Sequence, residues 1–141
     1  MNNQQFIILV GAVVFYRGKI LITQRSLKNK FLPGIWGIPA GKIDFSESSE
    51  KALIRELQEE TGLVIENTQI IGSSTFLSEY KNKETHNLQV NYVVNVKNDI
   101  VELDSSSMDY KWLSYSEIIT SSLLDKFTIS VIKQAEKFIK I

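Results

Sequence analysis

Three glutamates lie near the middle of the 141-residue chain, and Glu59 and Glu60 follow Glu56 by three and four residues. At this spacing side chains share one face of a helix, where like charges repel by roughly a few tenths of a kcal/mol per pair. A divalent cation would reverse that repulsion, because hard cations such as Mg²⁺ bind carboxylates together with substrate phosphates. The cluster therefore indicates a metal–phosphate site, and a solvated acidic helix face is the alternative interpretation.

The element that must position these glutamates is a helix. Ser48 suits its N-cap, Glu50 puts a favourable negative charge in the first turn, and Gly62 suits the left-handed residue that ends a helix. The residues between them are mostly good helix formers. A neighbouring face is apolar and predicts the side that packs on the core, with Leu53, Ile54 and Leu57. We therefore expect the carboxylates beside the core rather than opposite it.

Two further charged residues belong to the same stretch, because Glu47 precedes the predicted helix and Arg55 lies within it. They could pair and hold the preceding loop against the helix. The whole stretch closely resembles the box of the Nudix hydrolase family, which reads Gly, five residues, Glu, seven residues, then Arg-Glu-U-x-Glu-Glu-x-Gly-U, with U aliphatic. Each fixed position is matched, by Gly41, Glu47, Arg55, Glu56, Leu57, Glu59, Glu60, Gly62 and Leu63.

The resemblance implies a metal site on the box. Glu56, Glu59 and Glu60 would be metal ligands, and one of them, or a carboxylate outside the box, would be the general base. The segment WGIPAG at 36–41 resembles the run that usually precedes the box, although such proteins often have Gly where Ala40 stands. By the same resemblance, a backbone carbonyl near Ala40 or Gly41 would add a metal ligand.

The remaining box residues have supporting roles by this resemblance. Arg55 belongs to the catalytic group, where it is expected to orient Glu56 or Glu59 rather than to contact substrate. Glu47 and Gly62 are structural parts of the motif: Glu47 pairs with Arg55, and Gly62 ends the helix.

The activity implied by the resemblance is hydrolysis of the pyrophosphate linkage of a nucleoside diphosphate derivative, with Mg²⁺, or alternatively Mn²⁺, as cofactor. Metal ions would favour this reaction, because they neutralise the charge of the phosphates, activate water and orient the displacement. A (d)NTP or a nucleotide sugar is the expected substrate. The alternatives are a dinucleoside polyphosphate hydrolase, a Nudix-fold module that binds nucleotides or a protein without turnover, and a plain α/β domain with an acidic helix.

Substrate contacts are predicted outside the box. Arg25 ends a predicted strand, and a basic residue near this point can approach the substrate phosphates in Nudix proteins, whereas a surface charge is the alternative. Trp36 and Tyr80 are also predicted to bind substrate, and a tyrosine near position 80 resembles the downstream mark of dinucleoside polyphosphate hydrolases. Other aromatic residues either stack on a base or belong to the core: Phe31, Tyr92 and Trp112. His86, the one histidine, has no partner visible in the sequence and is left out of the site.

Composition limits the partners. The 16 acidic and 16 basic residues cancel, so no overall positive field would hold nucleic acid, and a small anionic nucleotide must be met locally. There are no cysteines, which excludes disulfides and thiolate zinc sites. The apolar run near the N-terminus lacks a basic region and is too short to span a bilayer, so we expect a buried strand, a cytoplasmic protein and no membrane partner. A homodimer is expected by resemblance alone.

The order of predicted elements is β-β-α-β-β-β-α. It suits one α/β domain over 1–141, a Nudix α/β/α sandwich with a mixed β-sheet between helices, whose box spans 41–63. Strands are predicted at 6–16, 19–25, 64–65, 69–77, 88–96 and 110–113, and residues 99–104 also alternate. Loops are predicted at 26–35, 81–86 and 105–109, and helices at about 48–62, from near 117 and at 123–140. The polar face of 88–96 is expected either to line the substrate cleft or to face solvent.

Overall fold

The computed structural model describes residues 3–139. Its strands are β1 (Gln4–Tyr16), β2 (Lys19–Arg25), β3 (Trp36–Gly37), β4 (Ala40–Lys42), β5 (Ile65–Tyr80), β6 (Lys83–Val96) and β7 (Ser107–Ser114). Its helices are α1 (Ser49–Thr61), α2 (Tyr115–Ile119) and α3 (Lys126–Gln134), followed by a 3₁₀ turn at Glu136–Phe138. The fold is α/β, as predicted, with a mixed sheet between helices.

Strand β1 is the centre of the sheet, and its apolar, β-branched segment at 10–14 is buried on both faces, whereas its first half is partly exposed. It pairs in parallel with β6, from Gln4 opposite Glu84 to Phe15 opposite Asn95, and antiparallel with β2 and β4. The sheet order is β3-β2-β1-β6-β5, and β7 pairs with β2. One parallel pair among antiparallel pairs makes the sheet mixed.

Each face of the sheet has its own hydrophobic core. Helix α1 covers one face, where its apolar side packs against β1 and β6; the buried residues include Ala52, Leu53, Leu57, Val10, Val14 and Val94. Helices α2 and α3 cover the other face, where the buried residues include Ile118, Val131, Ile132, Val13, Ile22 and Val93. The sheet therefore holds α1 and α3 in fixed positions on opposite sides.

The connection between β5 and β6 is shorter than the sequence predicts. The predicted loop at 81–86 is wrong, because the turn consists of Lys81 and Asn82, both with positive φ, and 83–86 belongs to β6. Two positive φ values are typical of the two-residue turn whose twist matches that of the flanking strands. The pairing then runs the full length of β5, which is one strand instead of the two predicted pieces.

The segment 99–104 alternates in sequence but forms no strand. Its backbone instead meets the end of α1, where the N–H of Glu102 donates to the carbonyl of Thr61 at 2.8 Å and that of Asp104 to the carbonyl of Glu60 at 3.3 Å. Carbonyls in the last turn of a helix lack partners within the helix, so these bonds compete with strand pairing. The following loop is shorter than the predicted 105–109, since β7 begins at Ser107.

The C-terminal helix is shorter than the predicted 123–140, and the last residue of that prediction lies outside the described residues. It starts after Asp125, whose carboxylate accepts a hydrogen bond from the Thr128 N–H at 2.8 Å, a helix-capping contact that sets the boundary. Helix α2 begins at Tyr115, slightly before the predicted start near 117, and Ser114 is its N-cap, with a reciprocal bond to Glu117. No helix within residues 3–139 is long and apolar enough to cross a membrane.

Candidate active site

Helix α1 carries the acidic cluster and has the predicted ends. The Ser48 hydroxyl accepts from the Lys51 N–H at 3.2 Å, and Gly62 has φ of 68° while its N–H donates to the Gln58 carbonyl at 3.0 Å. A residue with a Cβ would be strained at that φ, which explains the glycine. Because the apolar side of α1 is buried against β1, the orientation of the helix is fixed, and Glu56 and Glu60 line a cavity while Glu59 does not.

Arg55 connects this helix to the loop before it, and the predicted Glu47–Arg55 pair is confirmed. Its Nε and Nη2 donate to the two carboxylate oxygens of Glu47, both at 2.8 Å, and Nη2 also reaches the carbonyl of Lys42 at 3.2 Å. Such a two-point contact fixes geometry as well as charge. The Arg55 guanidinium, with the Asp44 N–H, lowers the pKa of Glu47 to about 2.

The third guanidinium nitrogen of Arg55 binds Glu56. Nη1 donates to Glu56 Oε1 at 2.8 Å, and the Glu56 side chain in turn shares a hydrogen bond with Glu60. Burial raises the pKa of Glu60 to about 9, and the negative charges of Glu56 and Asp104 act in the same direction. The charge of Arg25 opposes this shift without cancelling it. Glu60 therefore carries a proton at neutral pH and donates it to Glu56.

Gly41 leaves the space that Glu56 occupies. A Cβ built at Gly41 would lie 2.1 Å from Cδ and 2.4 Å from Oε2 of Glu56, far inside van der Waals contact. The glycine is brought there by β4, which pairs with β1 through Gly41 opposite Val10. The sequence did not predict the short strands β3 and β4, and they give the WGIPAG segment its place beside α1.

Glu59 lies apart from the Glu56–Glu60 pair. Its carboxylate is 3.6 Å from Arg55 Nη1, on a side chain that is more than half exposed. Across the described part of the chain, no three His, Cys, Asp or Glu side chains gather closely enough to hold a metal ion. The three predicted ligands are thus neighbours on α1, but two of them meet and the third faces outward; the role of Glu59 stays a prediction.

The Glu56–Glu60 pair forms part of the wall of a cavity of about 510 Å³. Gly41 and Arg25 line it as well, and so do the other predicted substrate-binding residues, Trp36 and Tyr80. Arg25 is half-buried rather than a surface charge, since its Nε donates to the Phe31 carbonyl at 2.7 Å. Burial lowers the pKa of Arg25 from its usual value, although the guanidinium stays charged at physiological pH.

Another part of the cavity wall is aromatic. The ring of Phe31 lies 6.3 Å from that of Phe76 and 6.2 Å from that of Tyr80, and Phe76 packs edge-on against Phe127 at 4.8 Å. Phe76 is not among the predicted site residues, and Phe127 is covered only by the helix predicted at 123–140. The alternation of β5 could have placed Phe76 and Tyr80 on one face, but no local pattern brings Phe127 to them.

Two aromatic candidates belong to the core instead. Tyr92 is buried under α1 and its hydroxyl is 2.6 Å from that of Ser49. Trp112 packs edge-on against Tyr16 at 6.4 Å, on the same face of the sheet. His86, left out of the site, stacks near Phe6 at 5.2 Å and lies outside the cavity wall.

The chain is similar to known proteins of one family. The family profile described as NUDIX domain matches residues 6–135. An 8-oxo-dGTP diphosphatase from Proteus vulgaris is 38% identical over 63 residues, which cover 45% of this chain and 55% of that relative, so the chain spans about half the length of this relative.

Solved structures share the whole fold. The MutT protein from Methanosarcina mazei Go1 superposes with a TM-score of 0.77 at 26% identity, over 97% of this chain and 98% of the other. The NUDIX domain of Shewanella oneidensis NrtR, solved with ADP ribose, gives 0.75 at 26% identity over 96% and 90% of the two chains. Since the family profile covers nearly all of the described fold, the chain belongs to the Nudix hydrolase family.

Proposed function

We propose that this protein hydrolyses the pyrophosphate linkage of a nucleoside diphosphate derivative, with Mg²⁺, or alternatively Mn²⁺, as cofactor. The observation that carries the proposal is the Glu56–Glu60 pair in the wall of a cavity that is aromatic elsewhere. Such a cavity offers carboxylates for a metal–phosphate group and rings for a base. Family membership supports the reaction class.

The donor set fits a hard divalent cation. Glu56 and Glu60 present carboxylate oxygens to each other, and a cation between them would favour the ionised form of Glu60. Mg²⁺ is commonly held by one or two carboxylates plus substrate phosphates and water, so a pair of protein ligands suffices. We propose Glu56 and Glu60 as metal ligands, with Glu59 and the Gly41 carbonyl as further ligands. When bound, the ion would neutralise phosphate charge and lower the pKa of a coordinated water.

The protein's own residues supply orientation and binding. Arg55 fixes the Glu56 carboxylate and is itself fixed by Glu47, so it acts as a positioning residue. Arg25 is proposed to meet the substrate phosphates from the cavity wall. Trp36 and Tyr80 are proposed to contact the nucleoside, since both line the same cavity.

A (d)NTP or a nucleotide sugar is the proposed substrate. Relatives support a small nucleotide: one is named 8-oxo-dGTP diphosphatase and another ADP-ribose pyrophosphatase. The balanced charge supports a small molecule over nucleic acid. We further propose one catalytic domain over residues 1–141, a cytoplasmic location and a homodimer. A dinucleoside polyphosphate is the second candidate, favoured by Tyr80 in the cavity wall.

The test is phosphate or pyrophosphate release from a nucleotide panel with Mg²⁺ and Mn²⁺. The panel contains (d)NTPs, oxidised dNTPs, nucleotide sugars, ADP-ribose and dinucleoside polyphosphates. We expect a preferred substrate whose kcat/KM falls at least about a hundredfold in Glu56→Gln and Glu59→Gln, since a metal site contributes several kcal/mol and each 1.4 kcal/mol is tenfold.

The control is Glu50→Gln, an exposed glutamate at the start of the same helix, which should leave the rate unchanged. No turnover of the panel by folded protein, or equal rates in all variants, would overturn the proposal. If the folded protein turns over none of the panel, a nucleotide-binding module without turnover would be favoured.

A further inference from the structure

Two buried amide side chains line the cavity near the aromatic residues. Asn87 and Gln89 are 2% and 4% exposed, and they lie two residues apart on β6, hence on the same face of the sheet. A buried amide is costly unless its polar atoms are hydrogen-bonded. The hydrogen bonds of each amide therefore show what remains available to a ligand.

The side-chain N–H groups of Asn87 are already hydrogen-bonded within the protein. Its Nδ2 donates to the backbone carbonyl of Phe76 at 3.2 Å and to the Ser78 hydroxyl at 2.8 Å. A backbone carbonyl can only accept, so this contact fixes which end of the amide is nitrogen. Its Oδ1 accepts no hydrogen bond from residues 3–139. Among those residues, Trp112 Nε1 is the one fully enclosed side-chain polar atom without a partner, so the unpaired Oδ1 of Asn87 is not fully enclosed. Asn87 Oδ1 is therefore reachable, and the open space at this residue is the cavity.

Gln89 is oriented through a chain of amides. Gln134 donates to the backbone carbonyl of Ser73 at 3.4 Å, which leaves its Oε1 to accept from Asn91 Nδ2 at 3.2 Å. Asn91 Oδ1 then accepts from Gln89 Nε2 at 2.9 Å. The chain ends at Gln89 Oε1, which accepts no hydrogen bond from the described residues and is not fully enclosed.

The backbone leaves room for this chain of amides. A Cβ at Gly11 would lie 2.4 Å from Gln89 Nε2 and 2.9 Å from Asn91 Oδ1. Gly11 stands opposite Asn91 in the β1–β6 pairing, so the glycine gives the two amides their space. The acceptor oxygens of Asn87 and Gln89 thus belong to a fixed arrangement in the interior.

We propose that Asn87 and Gln89 select adenine or cytosine, whose exocyclic amino group takes the place of the carbonyl in hypoxanthine or uracil. An amino group offers two N–H donors to two acceptor oxygens, whereas a carbonyl at the same place would set lone pairs against them. A buried acceptor left unpaired is the means by which a site rejects the wrong analogue. Asn87 bonds to the backbone of Phe76, so the acceptors adjoin the aromatic wall on which a base would lie. This inference rests on the proposed function and names its substrate class.

The first test uses matched nucleotides on the unaltered protein. ATP and ITP differ by an amino group replaced by a carbonyl, and so do CTP and UTP. We expect the amino-bearing member of at least one pair to be preferred about fivefold or more in kcat/KM, the value of about one neutral hydrogen bond. Binding of AMP, IMP, CMP and UMP, measured by calorimetry, should show the same preference without any need for turnover.

The second test removes one acceptor. Gln89→Met should lower the ATP-to-ITP or CTP-to-UTP ratio towards one, while a purely structural loss would weaken both members equally and keep the ratio. Asn95→Leu is the matched control, because Asn95 is an amide on the same strand that pairs with Asn67 outside the cavity. Thermal unfolding of both variants checks that they fold.

The outcomes separate the two proposals. Hydrolysis without a preference in either pair, or a ratio unchanged in folded Gln89→Met, overturns the role of the acceptors but leaves the hydrolase. A binding preference without hydrolysis of any nucleotide overturns the hydrolase and supports the acceptors. No binding and no hydrolysis overturn both.

Discussion

Two glutamates at the two ends of α1 have pKa values that are shifted in opposite directions. Glu47, just before the helix, contacts Arg55 through both oxygens, and that contact lowers its pKa to about 2. Glu60, in the last turn, is largely buried beside another carboxylate, and burial raises its pKa to about 9. Glutamate in one motif therefore forms an ion pair with Arg55 before the helix, and a carboxyl–carboxylate pair with Glu56 in its last turn.

The difference shows where a cation is still needed. Arg55 places its three donor groups on Glu47, Glu56 and the Lys42 carbonyl, and none reaches Glu60. Arg25 acts on Glu60 only through its charge, and burial outweighs it. The loop end of the motif is therefore neutralised by the protein itself. At the cavity end Glu60 has no such partner, so a metal ion would neutralise charge there.

The largest effect should follow from filling the space of Gly41. In Gly41→Ala the new Cβ would overlap Glu56 Cδ, so the carboxylate must leave its position between Arg55 and Glu60. A displacement of about 1 Å can cost a hundredfold, so we expect kcat/KM on the preferred nucleotide to fall at least about that much. Ala is tolerated by the backbone here, since φ is not positive, and thermal unfolding should change little. Full activity in Gly41→Ala would contradict the placement of Glu56 in the site.

Glu60 should make the protein less stable as pH rises. Its pKa is raised in the folded state, so between about pH 4.5 and 9 the unfolded chain releases a proton that the folded chain keeps. Glu60→Gln should remove this loss, which we expect to be on the order of 4 kcal/mol between about pH 5 and 8, since each pH unit contributes about 1.4 kcal/mol. Urea unfolding of both proteins at the two pH values measures it.

Mg²⁺ sharpens the same measurement. If Mg²⁺ replaces the proton of Glu60, it should stabilise the unaltered protein more at the higher pH. This stabilisation should exceed that in an NaCl control of equal ionic strength. It should have no such effect on Glu60→Gln. Parallel pH profiles for the two proteins would argue against a protonated Glu60.

Arg55→Lys should lower kcat/KM by less than Gly41→Ala does, because it weakens the contacts with both Glu47 and Glu56. Lysine keeps the charge but cannot make the two-point contact with Glu47 and also hold Glu56. Loss of a group that orients a ligand typically costs ten- to a hundredfold, so kcat/KM should fall by about that factor. Asp44→Asn is the control, because the exposed Asp44 carboxylate lies 3.4 Å from Arg55 and adds little. A rate in Arg55→Lys equal to that of the control would show that charge alone suffices.

The sequence predicts the parts of this comparison that depend on local spacing. The caps at Ser48 and Gly62 and the pair of Glu47 with Arg55 follow from fixed offsets along one helix and its entry loop. The charge state of Glu60 does not, because its burial arises from strands distant in sequence.

Contacts between distant segments escape the sequence analysis for the same reason. The approach of Gly41 to Glu56 depends on β4 pairing with β1, and the aromatic wall joins Phe31, Phe76 and Phe127 from three separate elements. Glu59 is a different case: spacing makes it a neighbour of Glu56 and Glu60 on α1, but its exposed carboxylate lies 3.6 Å from Arg55 Nη1 and apart from that pair.

The smallest effect should come from the Glu47–Arg55 ion pair. Because the pKa of Glu47 is lowered, its ion pair stabilises the protein above about pH 4.5 and is lost as pH falls towards about 2. Glu47→Gln keeps an oxygen for the Asp44 N–H but removes the charge, so its acid unfolding should show less of this loss. Glu66→Gln, an exposed glutamate on β5, is the control. Since solvent screens the Glu47–Arg55 pair, the change in pH-dependent stability should be smaller than that from Glu60→Gln. A larger change would mean that the loop before α1, and not the cavity, dominates the electrostatics of the motif.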